Sequence, residues 1–266
     1  MEAPEGRILY LPHGGGPLPL MGDPGHEGLT EWLRSAPEFL GRPEAVVLVS
    51  AHWEESHPTV QTGAAPSLLF DYGGFPPETY EYTYAAPGQP ELAQRLIELL
   101  RDAGLDPVGA QLRGFDHGMF VPMMLMYPDG SVPTIQLSLV SSLDPAIHLA
   151  IGEALRNVTG EGVAIVGSGL SFHNMAALGR SDPASLDRSR RFDDWLVDTC
   201  TDPDLDPAQR AARLIDWEAA PEARFSHPRE EQLLPRHGCA GAAGRAAGAA
   251  VYRDELFAKR VSALLW

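Results

Sequence analysis

The chain has 266 residues, 44% of them hydrophobic and 21% charged, an ordinary composition for a globular protein and enough chain to bury a sizeable core without covalent staples. A formal net charge of −16 repels nucleic-acid phosphates and anionic membrane surfaces, so neither is expected as a partner. The two cysteines, Cys200 and Cys239, form no CxxC pair, there is no basic-then-apolar leader, and no apolar run approaches the ~20 residues of a membrane span; a cytoplasmic, reducing setting is expected.

Along the chain, ILYLP (Ile8–Pro12) reads as a buried strand that ends at His13 and runs into three glycines. Apolar residues at helical spacing predict a helix over His26–Leu40. AVVLVSA (Ala45–Ala51) is an unbroken β-branched strand ending at His52. The next segment, through Tyr84, is rich in Pro, Gly and aromatics, and a long loop of that kind in a compact domain is often functional. Pro90–Gly104 is a helix with Pro in its first turn and Gly as its stop. Gly114–Pro128 begins as a loop and becomes helical, with Asp116 as the expected cap and His117 in the first turn. A strand over Val132–Leu139, a helix over Asp144–Val158 and a buried strand over Gly162–Leu170 follow, the last stopping just before His173. Helices are expected around Ser185–Thr201 and Pro207–Ala219, and the small-residue run Gly238–Ala250 as a tightly packed helix or close-approach segment. Strand–helix alternation predicts one domain over 1–266 of α/β class, a mainly parallel or mixed central sheet flanked by helices in an α/β/α sandwich.

Three of nine histidines, His13, His52 and His173, fall at predicted strand ends, and His117 and His227 lie in polar Gly/Pro-bounded loops. Open α/β sheets bind ligands outside the carboxyl ends of their strands, so these five are the candidate site. His26, His57 and His148 read as structural, and His237 as ambiguous. With thiolates absent, an imidazole-rich set suits Zn, Fe, Cu or Ni rather than Mg or Ca. Three ligands with open positions make a catalytic site, and unligated histidines are natural acids or bases. HExxH, a P-loop, GxGxxG and a GxSxG elbow are all missing, which argues against zincins, nucleotide binders and serine hydrolases.

PHGGGP, SAHWEE (Ser50–Glu55), YAAPG (Tyr84–Gly88), FDHGMFVPMMLMYP, IVGSGLSFHN (Ile165–Asn174) and HPREEQLLP (His227–Pro235) occur in that order over nearly the whole chain. Together they resemble the class III extradiol ring-cleavage dioxygenases, a superfamily that includes the catalytic subunit of protocatechuate 4,5-dioxygenase, and within it the DOPA 4,5-dioxygenase-like branch. The resemblance implies a mononuclear non-haem metal, Fe(II) in the active enzyme with zinc possible in the isolated protein. It implies His13, His52 and His227 as ligands, with Glu230 or Glu231 a fallback, His173 as acid/base, and His117 near dioxygen or substrate. The implied reaction takes a small aromatic diol and O2 to a muconic semialdehyde. Trp53, Phe120 and Arg229 are the expected substrate contacts, with Phe75, Tyr80 and Tyr82 as further candidate wall residues. Two departures stand out: Pro12 and three glycines replace the serines that often flank the first histidine, and Gln232 stands where another histidine often follows HPREE. The rival readings are a zinc-dependent hydrolase on the same scaffold and a non-enzymatic metal-binding protein. The sequence sets no oligomeric state; a homodimer is the assembly carried forward.

Overall fold

The computed structural model describes residues 7–266. Eight strands form one sheet in the order β4-β3-β5-β2-β6-β1-β8-β7. They span Ile8–Pro12 (β1), Ala45–Glu55 (β2), Thr59–Gln61 (β3), Val108–Ala110 (β4), Thr134–Val140 (β5), Val163–Gly169 (β6), Ala249–Leu256 (β7) and Lys259–Leu265 (β8). The middle four, β5-β2-β6-β1, are mutually parallel, whereas β3 joins β5, and β8 joins β1 and β7, antiparallel. The sheet is thus mixed, within the expected mainly parallel or mixed class, and its C-terminal antiparallel hairpin lies outside any predicted element. The hairpin's first strand, Ala249–Leu256, is mostly exposed or half-buried and carries three charged residues, so it shows no buried-strand pattern, whereas Lys259–Leu265 is buried almost throughout.

The parallel strands are apolar throughout because both faces are covered. On one face Ile8, Tyr10, Val47, Val49 and Ile165 pack under helices α3 (Pro90–Asp102), α5 (Pro145–Leu155) and α9 (Leu234–Ala243). On the other, Leu9, Leu11, Val46, Leu48 and Val166 pack under α1 (Glu27–Ser35) and α4 (His117–Met126). The remaining helices are α2 (Pro37–Leu40), α6 (Pro183–Thr201), α7 (Pro207–Ile215) and α8 (Ala223–Ser226). The small-residue run is the close approach it was expected to be: a Cβ on Gly152 of α5 would lie 1.9 Å from the carbonyl oxygen of Gly238 in α9, so these helices touch backbone to backbone. No helix among the described residues is long and apolar enough to cross a membrane.

Candidate active site

The site lies where the parallel strands end. His13 follows β1, His173 follows β6 after a short turn, and His52 lies within β2, whose register against β5 shifts between Val49 and Glu54. Such an irregularity re-aims a side chain, and here it accompanies His52's position beside the cavity rather than in a regular ladder. His117 opens α4. Asp116 occupies the cap position but makes no cap bond; its carboxylate accepts from Ser50 (2.7 Å), Gln136 (2.7 Å) and Arg113 (2.8 Å). The first-turn amide of His117 donates instead to Asp71, 3.0 Å away in the aromatic loop. That loop is pinned against the segment before α4 by reciprocal backbone bonds, Leu69 N to Phe115 O and Phe115 N to Ser67 O.

His13, His52, His117 and His173 line one cavity of about 460 Å³. The Nε2 atoms of His13 and His52 are 3.0 Å apart, and each of His13, His52 and His117 offers a nitrogen within 4.8 Å of the others. Their outer nitrogens are tied back. The Ser168 hydroxyl donates to the Gly118 carbonyl, so at 3.0 Å it accepts from His13 Nδ1–H. His117 Nδ1 donates to Asp71 Oδ1 at 2.8 Å, and His173 Nδ1 to Glu231 Oε1 at 2.8 Å. His52 Nδ1 faces the other Asp71 oxygen at 3.6 Å. For His13, His117 and His173 this arrangement fixes the tautomer that leaves the Nε2 lone pair free.

The electrostatics agree with neutral rings. Burial, then the neighbouring imidazoles, drives His13 well below the usual histidine range. Burial and His117 bring His52 to about 3, against the pull of Asp71. Burial opposes ionisation of Asp71 and Glu231, but the bonds from His117 and His173 outweigh it and hold both carboxyls below their ordinary values. With His13 Nδ1–H committed to Ser168, the 3.0 Å contact is either an N–H···N bond from His52 or, with a cation between the rings, a pair of ligand lone pairs. Two nitrogens about 2.0–2.1 Å from one ion, and near a right angle at it, are about 3 Å apart, so the pair fits a transition-metal ion. Gln232 adds an amide beside them, its Nε2 3.3 Å from His52 Nε2 and its Oε1 buried without a partner among the described residues.

The other candidate residues lie elsewhere. His227 is fully buried, its ring 5.4 Å from Phe192 and 6.2 Å from Trp217; it belongs neither to the histidine cluster nor to the cavity lining, and burial lowers it to about 3. Glu230 pairs with Arg224 at 2.9 Å. Trp53 is buried under Arg113 with its indole on Glu55, and Phe120 is buried behind Tyr72. Arg229 is clamped by both oxygens of Glu54, at 2.5 and 2.6 Å. None of these three lines the cavity; Tyr72, Phe75, Leu170, Met175, Leu178 and Phe257 do. Gly14 and Gly16 adopt positive φ (+87° and +55°), so the three glycines turn the chain away after His13 and form part of the cavity wall. Asp71 and Ser168 were not singled out from the sequence. Their only sequence signals are an acid inside FDYGGF and a serine at the end of a buried strand.

Residues 8–262 match the family model described as the catalytic LigB subunit of aromatic ring-opening dioxygenase. A relative named dioxygenase tasH, from Hapsidospora irregularis, is 40% identical over 97% of this chain and 85% of its own length. A 4,5-DOPA dioxygenase extradiol of Beta vulgaris is 34% identical over 89% of this chain and 86% of its own. The crystal structure of an uncharacterized Escherichia coli K12 protein, JW3007, superposes with a TM-score of 0.75 at 27% identity, covering 97% of this chain and 99% of that one.

Proposed function

The chain belongs to the family of catalytic LigB subunits of aromatic ring-opening dioxygenases, and on that premise we propose that it opens a catechol ring beside the diol with O2, using Fe(II), to give a muconic semialdehyde. One oxygen atom enters each of the two carbons whose bond breaks, so the product gains both atoms of O2 and carries a carboxyl and an aldehyde. The observation that carries this reading is the facing His13 and His52 Nε2 pair at 3.0 Å, with His13 held from behind by Ser168 and His52 facing Asp71.

His13 and His52 would hold the ion, with His117 as the further donor in reach and the Gln232 amide beside His52. When bound, such an ion supplies the positive charge that gathers a catecholate inside an acidic protein and the redox centre at which O2 is reduced. His173 stands on the cavity wall with Nδ1–H committed to Glu231, which leaves Nε2 to accept a catechol hydroxyl proton and return it later. Glu231 holds that ring in orientation and offsets its charge while the proton is on it. Asp71 likewise holds His117 in orientation. The apolar walls offer the reacting ring surface to bury against. The two cysteines, buried and unpaired, suit a reducing cytoplasm.

The test is oxygen uptake. Metal-stripped protein is loaded anaerobically with Fe(II), mixed with plain catechol, 4-alkylcatechols, protocatechuate, gallate or DOPA, and then exposed to air. Stoichiometric oxygen consumption with a new yellow chromophore is expected with at least one catechol. Tight metal binding without uptake on any of them overturns the proposal and favours a hydrolase or a metal-binding protein.

A further inference from the structure

The cavity's walls differ sharply from its floor. Its polar groups, the four histidines and Gln232, gather around the facing nitrogen pair, whereas Tyr72, Phe75, Leu170, Met175, Leu178 and Phe257 form the rest with glycines between them. Met175 is 71% exposed, a large apolar side chain left facing solvent at the rim. Among the described residues, no Lys, Arg, Asp or Glu side chain lines the cavity.

The nearby cations are engaged or turned away. Arg229 is clamped by Glu54, and Arg113 by Asp116. Arg180, next to the lining residue Gly179, faces a separate hollow shared with Asp182 and Arg188. Lys259 is fully buried, and its Nζ donates to the carbonyls of Arg180 (2.7 Å) and Ala258 (3.0 Å). The closest formal charges behind the floor are negative, Asp71 against His117 and Glu231 against His173. An anionic ring substituent would lose its hydration and find no side-chain cation on the walls, with two carboxylates lying behind the histidines. A hydrocarbon substituent would bury apolar surface against the walls. At about 460 Å³ the cavity is of a size that holds ligands larger than a single ring.

We propose that this site takes catechols whose ring substituent is uncharged and apolar, an alkyl or similar hydrocarbon group, in preference to carboxylated or amino-acid catechols. The inference rests on the ring-opening reading above. Its test uses the metal-loaded protein in two arms: oxygen uptake with the Fe(II) form, and calorimetric binding under nitrogen with the Zn(II) form. The ligands are 4-methylcatechol, 4-tert-butylcatechol, protocatechuate and DOPA. Both arms are expected to favour the alkylcatechols, by about tenfold or more in kcat/KM and in Kd. Equal or better use of protocatechuate or DOPA overturns the substrate class while leaving the dioxygenase reading intact. If no catechol is oxidised, that reading falls and the binding arm alone decides the preference. Met175→Arg adds a cation at the rim and is expected to cut the discrimination against protocatechuate about tenfold or more; an unchanged ratio shows that substituents do not meet this wall and overturns the proposal.

Discussion

Ser168→Ala tests how the fold sets the chemistry of His13. Pro122 lies inside α4 and has no N–H, so the Gly118 carbonyl, four residues earlier, loses its helical partner. The Ser168 hydroxyl donates to that carbonyl and accepts from His13 Nδ1–H, and Ser168 is fully buried. One substitution therefore orphans a buried carbonyl and a buried imidazole N–H, at about 1–3 kcal/mol for each group left unsatisfied. It also frees His13 to move its proton to Nε2, the atom that faces His52, and losing such an outer partner typically costs about 10–100-fold in metal affinity. Urea unfolding of the metal-free protein and a chelator-competition titration measure the two effects separately. Pro122→Ala separates them further, because the substitution restores a backbone N–H for the Gly118 carbonyl but gives nothing to His13. In the Ser168→Ala background it should recover about 1 kcal/mol more stability than in the parent, with no recovery of metal affinity. A Ser168→Ala protein that binds metal within about twofold of the parent would refute the reasoning, because His13 would then not depend on its outer bond.

Four further outcomes are expected. Asp71→Ala removes the partner of His117 and the nearest carboxylate to His52, and should weaken metal binding by about tenfold or more in the same competition titration, with Asp71→Asn, which keeps an acceptor oxygen, recovering part of the loss. Glu231→Gln should retain metal yet lower kcat by about tenfold or more through a less well-held His173, a result read from steady-state kinetics beside metal analysis. His227→Ala should leave metal content unchanged and reduce stability by about 1–3 kcal/mol, because His227 packs against Phe192 and Trp217 outside the histidine cluster; loss of metal would return it to the ligand set. His237, buried with Nε2 on the Leu214 carbonyl, is brought down by burial to about 4 from its ordinary 6.5, so its neutral form contributes stability above pH 6.5 that is lost as pH falls towards 4, about 3 kcal/mol in all, and His237→Gln should flatten that part of the urea-midpoint profile.

The parallel core and the strand-end histidines were legible because both depend on local pattern. Ile8–Pro12 matches β1 to the residue, the strands around Ala45 and Gly162 agree within a few positions, and His13 and His173 follow from where their strands stop, whereas β2 runs three residues past His52. The C-terminal hairpin was not legible, since Tyr252 to Glu255 carry charge and polarity on an edge strand that buries little. Which histidine clusters with His13 and His52 was equally hidden. His227 sits in the more conspicuous motif, but spacing along a chain does not say which way a loop carries a ring; α8 and the turn after it bury His227 against Trp217, whereas α4 starts where His117 can join His13 and His52. Arg229 misled for a related reason. A cation beside a site histidine suggests an anion to bind, and Glu54, 175 residues earlier, is already that anion.

The outer bonds were the least legible part, because each joins residues distant in sequence: Asp71 to His117, Ser168 to His13. Yet these bonds carry much of the specificity of the site. Four imidazoles at one sheet edge could each present either nitrogen, and a metal pair needs two lone pairs aimed at one point. The structure removes that freedom for His13, His117 and His173 with one hydroxyl and two carboxylates, none of which lines the cavity. Asp71 comes from the long aromatic loop and Glu231 from the segment leading into α9, so the proton positions at the site depend on how those two segments dock. A change in either segment is thus expected to alter turnover before it alters the fold. The same two carboxylates place negative charge behind an otherwise uncharged cavity, so the groups that hold His117 and His173 in orientation also disfavour an anionic substituent on the substrate ring.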